Sequence, residues 1–177
     1  MLLLFAVFLG LKDFFSPSSS RKSAAPSVDE NTIGLITVQG TIAAGEAGFL
    51  SEGAGGDRLL ADIRRAGEDP IKALVVRINS PGGSAAASQE IYAELRKVRQ
   101  KGKIIIVSMA DMAASGGYMI ACAADYIVAN PATVTGSIGV IIDATNMQGL
   151  YDLLGIDYEV IKSGTYKDTL NPGRPLT

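Results

Sequence analysis

The stretch DMAASGGY, residues 111–118, sets one serine between small residues and a pair of glycines. Ser115 follows an apolar run and opens a segment of helical character, so its hydroxyl falls where a strand turns into a helix and Gly116 offers a neighbouring backbone N–H. A serine in that place fits two roles, a nucleophile beside an oxyanion donor or a plain N-cap on a buried helix. A second glycine turn, INSPGG at 78–83, also lies between a strand-like run and a helical one. Gly82 and Gly83 reach backbone angles closed to other residues, so N–H groups there can point at a developing oxyanion; the same turn also reads as a tight connection and nothing more. It lacks the Gly-Lys-Ser/Thr ending of a phosphate cradle. The third stretch, KSGTYKD at 162–168, puts Lys162 and Lys167 on one glycine-containing loop.

The chain has no histidine, and a serine nucleophile then needs another base. A lysine amine is one solution, provided that burial brings its pKa below the solution value of about 10.4. Taken alone, each of these lysines reads as a solvated surface charge. With no histidine and a single cysteine, Cys122, there is no set of zinc-type ligands, and neither metal nor cofactor is expected. Cys122 lies in the apolar run YMIACAADYIVA and reads as a buried, inert thiol. A net charge of -2 with scattered basic residues gives no footprint for nucleic acid.

The elements that must position these residues follow from the apolar pattern. With 177 residues, 47% of them hydrophobic and 19% charged, the chain suits one folded domain with appendages. IGLITV and ALVVRI read as strands, and GDRLLADIRRAG between them carries Leu59, Leu60 and Ile63 at helical spacing with Asp57 as a cap. The spacing of Ile91, Leu95 and Val98 predicts a helix beginning at Ser84 and stopped by Gly102. KIIIVS, apolar without alternation, has the composition of a strand buried on both faces, which implies a parallel sheet. Downstream, a small-residue helix through Ala124, strands at YIVA, IGVII and YEVIK, and a helix over MQGLYDLLG complete the pattern.

Residues 1–15 are almost wholly apolar and as a helix would span roughly 22 Å, short of a full bilayer crossing. They read as the end of a membrane anchor or as a signal-like segment with SAA as its cleavage site. Lys12, Arg21 and Lys22 follow the apolar run, which by itself favours a cytoplasmic location for what comes next. Residues 16–32 form a Ser/Pro-rich linker, and the folded domain is expected over 33–177. Its last stretch, GTYKDTLNPGRPLT, is polar and contains prolines, and reads as a cut inside a larger domain.

INSPGG, ASGGYMIACAADYIVANPATVTGSIGV and KSGTYKD, in this order and spacing, resemble the signal peptide peptidase A family of bacterial serine/lysine peptidases, over about residues 32–177. The resemblance implies an α/β fold of the Clp-protease/crotonase type, with stacked β-β-α units and a largely parallel sheet. It further implies self-association into a homo-oligomer, signal peptides as substrates, and a plasma-membrane anchor that holds the catalytic domain outside the cytoplasm. Matched by motif, Ser115 is the nucleophile, Lys167 the general base, Gly82 and Gly116 the oxyanion donors, and Ser137 the residue that orients the lysine. Lys162 does not match the base position. Two alternatives share parts of this pattern: a membrane serine/lysine peptidase of the NfeD type, and a crotonase-type acyl-CoA enzyme with carboxylates in place of the serine.

Overall fold

A computed structural model describes residues 28–45 and 53–176. The expected anchor, 1–15, and most of the expected linker lie outside the described residues. Among the described residues no helix is long and apolar enough to cross a membrane.

The main sheet is built from β1 (Ile33–Gln39), β4 (Ala73–Ser80), β5 (Ile104–Ala114), β6 (Tyr126–Val128) and β7 (Val134–Gly136). Its order is β1-β4-β5-β6, every pairing is parallel, and β7 joins β5 further along, at Met112–Ala114. A short parallel pair, β2 (Ile42–Ala43) and β3 (Ala54–Gly55), precedes the first helix. Helices α1 (Gly56–Glu68) and α2 (Ala85–Gln100) are the crossovers that parallel strands require. Leu59, Leu60 and Ile63 of α1 and Ile91, Leu95 and Val98 of α2 meet Val38, Leu74, Val76, Ile78, Ile105 and Val107 of the sheet in one buried cluster.

Local signals explain most of these boundaries. Ser84 caps α2 by accepting the Ala87 N–H at 3.3 Å, and Gly102 follows the helix with a φ of 87°. The cap expected at Asp57 is not made: Gly55 is the N-cap of α1, without a side-chain bond, and Asp57 lies in the first turn, where a carboxylate still complements the helix dipole.

Larger departures come later in the chain. β5 runs through residues 110–114, past the end of KIIIVS. Helix α3 is only six residues, Gly116–Ala121. Neither IGVII nor YEVIK is a strand: residues 138–147 and 156–162 have no regular structure, and Ile138, Val140, Ile141, Ile142 and Ile161 are exposed. The helix expected over MQGLYDLLG is present as α4 (Gln148–Leu154), closed by Gly155 in the left-handed conformation, but it buries no residue.

Candidate active site

The site forms where β5 ends. Ser115 has φ 51° and ψ −117°, a backbone conformation that L-residues avoid at a cost of about 1–3 kcal/mol. The surroundings impose it. The Ser115 N–H donates to the Gly136 carbonyl at 2.8 Å, and the Ser115 carbonyl accepts from the Met119 N–H at 2.9 Å. Of the two roles open to this serine, the cap is not taken: its side chain makes no capping bond to α3. The hydroxyl therefore sits on a sharp strand-to-helix turn, half-buried, without a structural task.

A register irregularity in the β4–β5 pairing, between Ile78 and Ser80, brings the second glycine turn against the first. The Asn79 carboxamide accepts the Met112 N–H at 3.2 Å and so ties the two strands where their regular register breaks. Beyond it, Gly82 takes a φ of 100°. A Cβ on Gly82 would stand 2.7 Å from the Gly116 nitrogen and 2.8 Å from the Ser115 Cβ, so only glycine allows the turns this approach. Ile42 holds the turn from the other side, donating to the Gly82 carbonyl and accepting from the Ser84 N–H, both at 2.8 Å. Gly116 is equally constrained, because a side chain there would run into the Ser88 Oγ on α2.

The Gly82 N–H donates at 3.1 Å to the Oγ of Ser80, a fully buried serine. That bond engages the N–H of Gly82, one of the two oxyanion donors expected from the sequence. The next residue, Gly83, lines a cavity together with Ser115 and Gly116. The cavity holds about 880 Å³, and its remaining wall is mostly apolar: Tyr92, Tyr118, Met119 and the stretch from Ile138 to Ile141. Cys122 also lines it and is exposed, which corrects the expectation of a buried thiol. The residue is the C-cap of a six-residue helix; its neighbours Ile120, Ala121 and Ala123 enter the core, while its own side chain falls on the cavity side.

Ser137 directly follows the carbonyl that holds Ser115 and is exposed, with a φ of 50°. Lys167 lies on an exposed loop and is not among the residues lining the cavity. Within one chain the fold thus brings together Ser115, Gly83, Gly116 and the segment that bears Ser137, and leaves Lys167 outside this group. Lys162 is engaged elsewhere, its Nζ 2.5 Å from Asp168 Oδ1, while Arg174 binds both oxygens of the same carboxylate. The hydrogen bonds from Arg174 and then Lys162 hold the Asp168 carboxyl well below the usual carboxylate range. The parts in the sequence that pointed to none of this are Ser80 and Ser88, whose roles depend on contacts between distant turns, and Asp168.

The sequence model of peptidase family S49 matches residues 97–177, and that of Clp protease matches residues 59–134. The chain is 50% identical over 111 residues to Protease 4 of Haemophilus influenzae, an alignment that covers 62% of this chain and 18% of that protein. It is 40% identical over 144 residues to the putative protease slr0021 of Synechocystis, covering 81% of this chain and 48% of that one. To the putative signal peptide peptidase SppA of Enterococcus faecium it is 38% identical over 140 residues, covering 77% and 41%. The chain spans less than half the length of these relatives. Among solved structures, a membrane protease specific for a stomatin homolog from Pyrococcus horikoshii superposes with a TM-score of 0.39 at 22% identity, over 59% of this chain and 49% of that one. The parallel α/β sheet and the Clp protease match make the fold one of the Clp-protease/crotonase type.

Proposed function

This chain belongs to peptidase family S49, the signal peptide peptidase A family, and we propose that it is a membrane-anchored serine endopeptidase acting through a Ser115–Lys167 dyad. The observation that carries the reading is the backbone of Ser115: a strained, uncapped serine at the mouth of an apolar cavity, with glycine turns on both sides. Strain of this kind persists where the surrounding structure over-determines it, as at catalytic turns.

In the reaction, the neutral Lys167 amine accepts the Ser115 hydroxyl proton as Oγ attacks the scissile carbonyl carbon. The carbonyl oxygen becomes an oxyanion stabilised by the N–H of Gly116 and by that of Gly83, in place of Gly82. The tetrahedral species collapses when the lysine returns its proton to the leaving amine, and the acyl group stays on Ser115. Water then attacks the acyl carbon, giving its proton to the same amine, and the peptide acid leaves with Ser115 restored. Ser137 orients the lysine. The apolar cavity wall suits the hydrophobic side chains of released signal peptides, and residues 1–15 hold the domain at the extracytoplasmic face of a bacterial plasma membrane.

Lys167 of one copy serves Ser115 of another. Two facts support this: Lys167 is exposed and does not line its own chain's cavity, and the apolar side chains between Ile138 and Ile161 lack a covering surface of the kind a homo-oligomer supplies. A fluorophosphonate probe tests the nucleophile. The full chain should be labelled at Ser115 and its Ser115→Ala variant should not; labelling that survives the substitution overturns the reading.

A further inference from the structure

The loop that carries Lys167 is organised around a carboxylate to which neither family nor motif gives a task. The Asp168 side chain is only 8% exposed and lies between two cations from opposite ends of the loop. Arg174 grips it in the bidentate manner, Nε to Oδ2 at 2.8 Å and Nη2 to Oδ1 at 3.0 Å. Lys162 binds Oδ1 and also donates to the Thr165 carbonyl at 3.1 Å, inside the turn that precedes Lys167. Short backbone bonds complete the enclosure: Thr169 N–H to the Tyr166 carbonyl at 3.2 Å and Asn171 N–H to the Asp168 carbonyl at 3.0 Å. Both flanks of Lys167 are tied down, and its own amine takes no part in the network.

This arrangement separates the two lysines by chemistry. A lysine held by a carboxylate stays protonated and cannot serve as a base. Asp168 is the immediate neighbour of Lys167 and the obvious group to trap it. With its oxygens occupied by Lys162 and Arg174, it does not.

We propose that Asp168 is the positioning residue of the Lys167 base: saturated by Lys162 and Arg174, it fixes the turn that presents Lys167 and leaves that amine unpaired. The inference rests on Lys167 being the base. The groups facing Asp168 are Lys162, from the stretch before the turn, and Arg174, from the stretch after it. Two substitutions therefore push the pH dependence in opposite directions. Asp168→Asn leaves the Lys162 and Arg174 cations on the Lys167 loop without their counter-charge, which disfavours the protonated amine. The pH–rate profile should move to lower pH, and kcat should fall about tenfold or more with little change in KM, because the turn is no longer fixed. Lys162→Ala combined with Arg174→Gln frees the carboxylate to pair with Lys167, and the profile should move to higher pH.

Peptide hydrolysis by the full chain is measured from pH 6 to 10 for the parent, both variants, Asp168→Glu and Lys167→Ala, with melting temperatures taken in parallel. Asp168→Glu, which keeps the charge, should recover part of the activity. The same opposite displacements should appear in the pH titration of the Lys167 13Cε resonance in lysine-labelled protein, a readout that does not depend on turnover. Profiles and resonances that stay at the parent position in both variants, or that move in the same direction, overturn the assignment and reduce Asp168 to a structural clamp. A Lys167→Ala chain that retains hydrolysis overturns the base instead. An inactive Lys167→Ala chain beside unmoved profiles removes only the role of Asp168.

Discussion

Residues 33–125 and 126–176 are both rich in aliphatic side chains, yet they use them in opposite ways. The first region contains every large side chain that is fully buried among the described residues, from Val38 to Ile120. The second contains none, and there Ile138 is 83% exposed, Ile141 86% and Ile161 99%. Apolar content was therefore not what decided burial; packing partners were. In the first region, strands and crossover helices bury each other's faces. The second makes its contribution at the site: Gly136 anchors Ser115, Ile138 to Ile141 wall the cavity, and the 162–174 loop carries Lys167. The contrast separates a region that builds the scaffold from one that lines the cavity and leaves most of its aliphatic side chains exposed.

The sharpest way to break that division is to ask whether the two regions act within one chain. Ser115→Ala, in the first region, and Lys167→Arg, in the second, should each lower peptide hydrolysis by about a thousandfold or more with folding intact, since arginine keeps a proton that no working pH removes. Mixing Ser115→Ala protein with Lys167→Ala protein should restore measurable turnover, because each supplies the half that the other lacks. If the mixture stays as inactive as its components, Lys167 serves its own chain. Lys162→Ala alone should keep most of the activity, since Arg174 still holds Asp168.

Stability should divide along the same line. Leu95→Ala, at a fully buried position, should cost about 2–5 kcal/mol in chemical denaturation. Ile161→Ser should stay within about 0.5 kcal/mol in the same experiment. Its effect should appear in sedimentation, as weakened self-association. Equal losses for both substitutions would show that the second region has a core of its own.

A smaller effect is expected where the regions meet the glycine turns. Gly116→Ala drives a methyl group into Ser88 Oγ and should cost about 1–3 kcal/mol while lowering hydrolysis. Ser88→Gly added to it should recover part of the stability, because it removes the atom in the way. No recovery would mean that the glycine is needed for its backbone alone.

Each signal in the sequence was as legible as it was local. Helix α2 was legible from end to end because its cap, its apolar stripe and its terminal glycine are local. The parallel sheet was legible from KIIIVS, a run that only burial on both faces explains. The extension of β5 through residues 110–114 was not, because small residues carry no strand signal and the pairing depends on Asn79 and β7, distant in the chain. IGVII and YEVIK have the composition of strands, and composition cannot report that no strand among the described residues pairs with them. At the site, the two glycine turns and Ser115 were visible as motifs. That the Gly82 N–H bonds the buried Ser80 hydroxyl was not, because only the folded turn creates that contact.

At the seam between the regions, the smallest effect is expected from Asp125. Its carboxylate accepts the Ile105 N–H at 2.8 Å and pairs with Arg99 of α2 at 2.5 Å, so it joins the start of β5 to the end of the neighbouring helix. The hydrogen bond from Ile105, more than the Arg99 charge, lowers its pKa below the ordinary aspartate value. A carboxyl whose folded pKa is depressed adds stability that is fully present above its unfolded pKa, about 3.9, and is lost as pH falls through the folded value. Asp125→Asn should therefore cost about 1 kcal/mol at pH 7, the contribution of one charged hydrogen bond at a partly exposed site, and less than that at pH 3. Glu94 and Asp168 are also depressed and weaken the protein in acid, but they do so in parent and variant alike, so the difference between the two urea midpoints isolates Asp125. Midpoints that differ by the same amount at pH 7 and pH 3 would show that the carboxylate charge adds nothing to this junction and that only the shape of the side chain matters there.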